Sequence, residues 1–190
     1  MKVREFFNNI ANKWDEIAKH DENKLKKIIH LSKVKPNSKI LDVGTGTGIL
    51  LKYLLETNPQ KITAIDISEN MIEKAKEKFD DKRLEFIVSD IFDFNQKGYD
   101  YIFLYSVYPH IQNKELLFKH LSHLLNSNGK VIIAHSESKE KINEIHKQNP
   151  IFEKDHLPPV EVTENIMKKY FEIDEKIDDQ DMYYISGIKK

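Results

Sequence analysis

The 190-residue chain has no cysteine, which excludes disulfides, thiolate metal sites and cysteine nucleophiles. It has no excess of either charge: 30 basic and 31 acidic side chains nearly cancel, to a formal −1. Such a balance weighs against non-specific nucleic-acid or membrane binding, both of which need a basic face. No apolar run approaches membrane-spanning length, and the opening "MKVREFFNNI" lacks the apolar core of a signal peptide. The expected location is the cytoplasm. There is also no internal repeat, no low-complexity segment and no linker that would divide the chain.

The composition, 39% hydrophobic and 32% charged, is that of a globular domain with a heavily solvated surface. One domain is expected at this length. Phe6, Phe7, Ile10, Trp14 and Ile17 recur at helical spacing, as do Leu25, Ile28 and Ile29 after Asp21. A turn at "KPNSK" (35–39) follows. Short apolar strands then alternate with helical stretches: "KILDV" (39–43), "ITAID" (62–66), "LEFIV" (84–88), "YIFLY" (101–105) and "KVIIAH" (130–135). The clearest helix, about 113–125, carries Leu116, Leu117, Leu121, Leu124 and Leu125 as one stripe and is closed by "NSNG". This alternation predicts an α/β fold, a parallel sheet with helices on both faces. "LPPVEVTENIMKKY" reads as a proline-opened helix, and "FEIDEKI" and "MYYISGI" around "DDQD" as a terminal antiparallel hairpin.

The chemistry concentrates in "DVGTGTG", which follows a strand and precedes a helical run, the context that gives a glycine fingerprint its meaning. Gly44, Gly46 and Gly48 permit a tight turn and close approach of backbone to a ligand. A dinucleotide fingerprint would put its third glycine at position 49, which is Ile49. A P-loop would need Lys-Ser/Thr where Ile49 and Leu50 stand. The second strand ends in Asp66, 22 residues beyond Gly44, where a carboxylate can accept from both ribose hydroxyls. The competing reading makes Asp66 a cap for the next helix, but Ser68 is available for that task. Asp90, closing "LEFIVSD", could accept an adenine amino proton, or be a loop acid before "IFDF".

In combination these segments resemble the class I S-adenosylmethionine-dependent methyltransferases over nearly the whole chain. "ILDVGTGTG" matches the first motif, "ITAIDIS" the ribose-binding strand and "VSDIFDF" the adenine-binding turn. "YDYIFLYSVYPHI" matches the fourth strand, whose end faces the methyl donor in that family, and "NGKVIIAHS" resembles the fifth. "FFNNIANKWDEIAKHD" resembles the helical lid of small-molecule members. The resemblance implies a Rossmann-like, doubly wound fold with seven strands in the order 3-2-1-4-5-7-6, only the seventh antiparallel. It implies one methyltransferase domain over residues 1–190, with 1–35 as lid and 36–190 as core. Asp42 and the backbone of Gly44, Thr45, Gly46 and Gly48 would hold the methionine part of the donor. Asp66 would take the ribose, Ile67, Met71 and Ile91 would flank the adenine, and Asp90 would meet its amino group. Tyr105 would line the donor site from the fourth strand. The product would be S-adenosylhomocysteine.

An activated sulfonium donor leaves the protein to align the acceptor and, where needed, remove its proton. "SVYPH" from position 106 replaces the Asn/Asp-Pro-Pro-Tyr pattern of many amino-group enzymes, which weighs against DNA bases and protein amides. A small-molecule acceptor is expected, its reacting atom left open; the oligomeric state is open too. Among eight histidines, His120 reads as packed, and His30 and His123 as surface groups. His110 after the fourth strand, and His135 at the end of the fifth, are the candidate general bases. Trp14 and His20 in the lid, with His146 and His156, are candidate acceptor-site residues. No metal is expected; the alternative gives His20, His110, His135, His146 and His156 to a divalent ion. Two other functions stay open, a non-catalytic module that binds the donor and a nicotinamide-dependent oxidoreductase. The displaced glycine and Asp90 count against the latter. RNA methylation is a lesser option, lacking a basic tract.

Overall fold

Seven strands form one sheet in the order β3-β2-β1-β4-β5-β7-β6, flanked by helices, in a computed structural model that describes residues 2–190. Met1, which the signal-peptide and lid readings include, lies outside the described residues. The chain divides into two compact units, one ending at Asn95 and one beginning at Gln96.

In the first unit β1 (Lys39–Val43), β2 (Lys61–Asp66) and β3 (Leu84–Val88) pair in parallel, with Val43 opposite Ile65 and Asp66 opposite Val88. β1 and β2 are buried at every position after their first residue, as expected of parallel strands covered on both faces. β3, at the sheet edge, is half-buried, and its last residue, Val88, is exposed. Helix α1 (Lys2–Ile10) leads through a short 3-10 turn at Ala11–Lys13 into α2 (Trp14–Ile17). That turn departs from the expected continuous stripe: its tighter winding rotates α2 relative to α1, and Ile17 ends 63% exposed. Asp21 then caps α3 (Glu22–Ser32) by accepting from the N–H of Asn23 and Lys24, and Leu25 and Ile28 bury its inner face. The short α4 (Leu51–Glu56) follows the glycine segment, and α5 (Glu69–Lys78) starts on Ser68, whose hydroxyl accepts from Met71 N.

In the second unit β4 (Tyr99–Tyr105) and β5 (Leu125–His135) are parallel, while β7 (Tyr183–Lys189) runs antiparallel to both β5 and β6 (Phe171–Asp178). The hairpin around "DDQD" is present. Helix α6 (Lys114–Leu124) begins on Asn113, whose side chain accepts from Leu116 N. The expected stripe is corrected here. Leu117, Phe118, Leu121 and Leu124 are buried, whereas Leu116, one position off that face, is 48% exposed. Leu125 is already the first residue of β5, which starts five residues earlier than the apolar run suggested. Helices α7 (Lys139–Lys147) and α8 (Val160–Met167) complete the unit, α8 opening behind Pro159 as its sequence indicated.

Candidate functional site

In the first unit the chain turns sharply at the carboxyl end of β1, with positive φ at Gly44, Gly46 and Gly48. The two later glycines serve different needs. A Cβ on Gly48 would meet the Phe79 ring at 2.8 Å and Leu51 at 3.0 Å. A Cβ on Gly46 would meet only the Trp14 indole nitrogen, at 3.6 Å. Gly48→Ala should therefore cost about 2–5 kcal/mol of stability, from overpacking added to left-handed strain. Gly46→Ala should cost about 1–2 kcal/mol, the strain alone. Urea unfolding checks the pair; equal losses would refute the distinction.

Asp66 ties this turn to the next strand. Its Oδ2 accepts from Gly46 N at 2.8 Å and its Oδ1 from Ser68 N at 2.9 Å. Burial pushes its carboxyl up, against the N–H groups of Ser68, Gly46 and Ile67. The cap of the next helix is Ser68, whose hydroxyl accepts from Met71 N at 3.1 Å. Asp42 lies inside β1 and accepts from Thr45 Oγ1 at 2.6 Å. Burial, opposed by that bond and reinforced by the Asp66 charge, pushes its carboxyl up to about 7. Thr45, Met71 and Ile91 are buried and Ile67 is half-buried; Asp90 is exposed and accepts from Phe92 N at 2.8 Å.

The N-terminal helices hold this same region by polar contacts. Asp15 accepts from Thr47 Oγ1, inside the glycine turn, at 2.5 Å and pairs with Lys78. Asn8 accepts from Ser68 Oγ at 2.5 Å and donates to Glu69 at 3.0 Å, and Arg4 pairs with Glu69. Trp14 packs edge-on against Phe7, ring centroids 5.5 Å apart. His20 is half-buried, and its charge acts on Asp15. Of these residues Phe7, Trp14, His20 and Ser68 were singled out from the sequence; Arg4, Asn8, Asp15 and Glu69 were not.

In the second unit Tyr105 donates to Ser136 Oγ at 2.8 Å, and Ser106 beyond it adopts a left-handed φ of 56°. The following 3-10 turn, Tyr108–His110, is held by Lys114, whose ammonium donates to the carbonyls of Tyr108, Pro109 and Ile111 and lies 4.3 Å from the Tyr108 ring centroid. Burial lowers Lys114 to about 8. The His110 Nδ1 lies 2.7 Å from Asp155 Oδ2, and the His110 and His146 rings approach to 4.9 Å.

Of the five histidines that the alternative reading gave to a divalent ion, His110, His135 and His146 are grouped in this unit: the first and last charges act on His135. His135 is 1% exposed, and neither of its ring nitrogens has a hydrogen-bond partner. Burial, then the neighbouring cations, push it down to about 3, so it stays neutral. Burial lowers His146 as well. His156 is exposed in its loop, and His20 belongs to the first unit. Among the described residues no group of three or more histidines and carboxylates is arranged to hold a metal ion. The sequence reading singled out neither Asp155 nor Gln112.

A family model described as "Methyltransferase domain" matches residues 34–182. The chain is 40% identical over 136 residues to malonyl-[acyl-carrier protein] O-methyltransferase 1 of Ilyobacter polytropus, a match covering 68% of this chain and 50% of that one. It spans about half the length of the curated relatives it matches. In structure it is similar to Haemonchus contortus phosphoethanolamine N-methyltransferase 2, solved with phosphomonomethylethanolamine and S-adenosylhomocysteine: TM-score 0.76, 19% identity, 96% of this chain and 57% of that chain. It is also similar to the N-methyltransferase NodS of Bradyrhizobium japonicum with S-adenosylhomocysteine: TM-score 0.70, 15% identity, 88% of this chain and 86% of that chain. At such identities the structural likeness concerns the fold.

Proposed function

The chain belongs to the class I S-adenosylmethionine-dependent methyltransferase-domain family, and from that premise we propose that it methylates a small-molecule acceptor carrying a removable proton, with His110 as general base. The observation that carries the donor half is the clasp between Gly46 N and Asp66 at 2.8 Å, which joins the glycine turn and the acid into one cradle. Gly46 N and Ser68 N each meet a different Asp66 oxygen and Ile67 N faces the same carboxylate, and the ribose hydroxyls are read as using the acceptor capacity that remains. Asp42, Gly44, Thr45, Gly46 and Gly48 are read as holding the methionine part, Ile67, Met71, Asp90 and Ile91 the adenine, and Tyr105 the donor's reactive end. When bound, S-adenosylmethionine supplies an activated methyl group whose carbon–sulfur bond breaks with the electron pair left on sulfur. His110 removes the acceptor's proton. His135 is left out of this chemistry, because its ring is 1% exposed.

We read residues 1–35 as a lid on the core of residues 36–190. Its contacts fall on Thr47, Ser68 and Glu69, which flank the glycine turn and Asp66. Closure would exclude water from the transfer. Trp14 is the chain's single tryptophan and sits over Gly46, so its fluorescence reports donor binding. Titration with S-adenosylmethionine or S-adenosylhomocysteine should give a saturable change, and titration with a nicotinamide dinucleotide none. The reverse pattern would favour the oxidoreductase reading. Binding without release of S-adenosylhomocysteine across thiol, phenol, amine and carboxylate acceptors would favour the non-catalytic module. Deleting residues 1–20 should leave a folded core with donor affinity, measured by calorimetry, reduced at least about tenfold, as when a pre-organised contact set is lost. A truncated protein with unchanged affinity and turnover would remove the lid.

A further inference from the structure

The loop between α7 and α8, residues 148–159, is fastened to the turn after β4 by the polar contacts of Asp155 and by the Phe152 ring. Asp155 is 5% exposed. Its Oδ2 meets His110 Nδ1 at 2.7 Å and its Oδ1 accepts from Gln112 Nε2 at 2.6 Å. Its carbonyl accepts from His146 Nδ1 at 2.5 Å. Two residues on, the Asn143 side chain both accepts from Leu157 N at 2.8 Å and donates to Leu157 O at 3.0 Å. Phe152, from the same loop, packs its ring 4.7 Å from His110 and 5.9 Å from His146. Backbone and side chain of Asp155 are thus held independently, and its two carboxylate oxygens each serve one donor.

We infer that Asp155 is the positioning residue for His110: it keeps the proton on Nδ1, presents Nε2 as the basic nitrogen and stabilises the imidazolium formed during turnover. The inference rests on the reading of His110 as base. In the proton transfer the acceptor's X–H bond breaks, its electron pair stays on X, and the proton passes to His110 Nε2. The Nδ1–H bond stays intact, and Asp155 remains an anion throughout. The ring later returns the proton to solvent. Burial pushes the Asp155 carboxyl up, but the His110 hydrogen bond and charge, with Gln112, outweigh it and hold the carboxyl below its ordinary range.

The carboxylate gives each of the two converging N–H donors its own oxygen. Asp155→Leu keeps the side-chain volume and removes both acceptors, so nothing at this position holds the proton on Nδ1. The second variant, Asp155→Asn, keeps one accepting oxygen, which can serve His110 because the Gln112 amide can turn its own oxygen toward the new N–H.

The experiment is nitrogen NMR of ring-labelled histidine at alkaline pH, where imidazoles are neutral, with His110 assigned through His110→Gln. The wild type should show His110 protonated at Nδ1, Asp155→Leu a loss or inversion of that tautomer, and Asp155→Asn its return. An Nε2–H tautomer in the wild type overturns the inference, whether or not any variant folds. So does an unchanged tautomer in folded Asp155→Leu, the outcome for a residue that only fastens the loop. Donor titration of the same samples keeps the two readings apart. Absent donor binding in every sample, wild type included, defeats the methyl-transfer reading and leaves the tautomer result standing.

Discussion

Alanine in place of His110 is expected to slow methyl transfer to protic acceptors by about 10²- to 10⁴-fold, the usual contribution of a positioned general base. Donor affinity should be unchanged, because the proposed donor cradle is built from Asp66, the glycine turn and their backbone partners. Acceptors differ in their need for the base: a thiol, phenol or ammonium must lose a proton, whereas a carboxylate acceptor is already ionised. The variant should therefore lose rate with the former and keep it with the latter. Removing the ring also leaves the buried Asp155 with Gln112 as its remaining side-chain donor, at a cost of about 1–3 kcal/mol. His110→Gln, which retains an N–H donor but no basic nitrogen, separates that loss from the chemical one. S-adenosylhomocysteine release measured across the acceptor panel decides the matter. Equal rates in wild type and both variants would take His110 out of the mechanism.

The second large effect belongs to Asp66. Asp66→Ala removes charge-assisted contacts to the ribose and should weaken donor binding by about 1.5–3 kcal/mol, roughly 10- to 150-fold. It also strands the N–H groups of Gly46 and Ser68, so Asp66→Asn, which keeps an accepting oxygen, should fall between. The pH dependence has a definite sign. Burial raises the Asp66 carboxyl in the folded protein, so the native state holds a proton that the unfolded chain has already lost. The unliganded protein then gives up stability as pH rises from the unfolded value through the raised one. Donor hydroxyls favour the ionised form, so donor affinity should increase over the same interval. Calorimetry across a pH series tests both trends. Wild-type affinity in a folded Asp66→Ala protein would sink the donor assignment.

What the sequence could determine was local. The strands β1, β2 and β3, the cap at Ser68, the glycine turn and the acid closing β2 all lie in patterns of two to about twenty residues. There the backbone's own periods and the allowed φ of glycine leave few alternatives. The order and direction of the strands followed from family resemblance built on those same segments, and the sheet has that order. Where the local period was interrupted, the reading slipped: the 3-10 turn at 11–13 carried Ile17 into solvent, and Leu116 stood one position off the buried face of α6. The tertiary structure alone decided the pairings between distant residues. Asp155 meets His110 across 45 positions and Asp15 meets Thr47 across 32, with no periodic signal linking either pair. It alone also separated His110, tied to a carboxylate, from His135, which is buried with neither ring nitrogen hydrogen-bonded although both stand near carboxyl ends of adjacent strands. A side chain's spacing along the chain states which face of an element it occupies. Whether that face meets a carboxylate, a ring or solvent depends on elements folded against it from elsewhere in the chain.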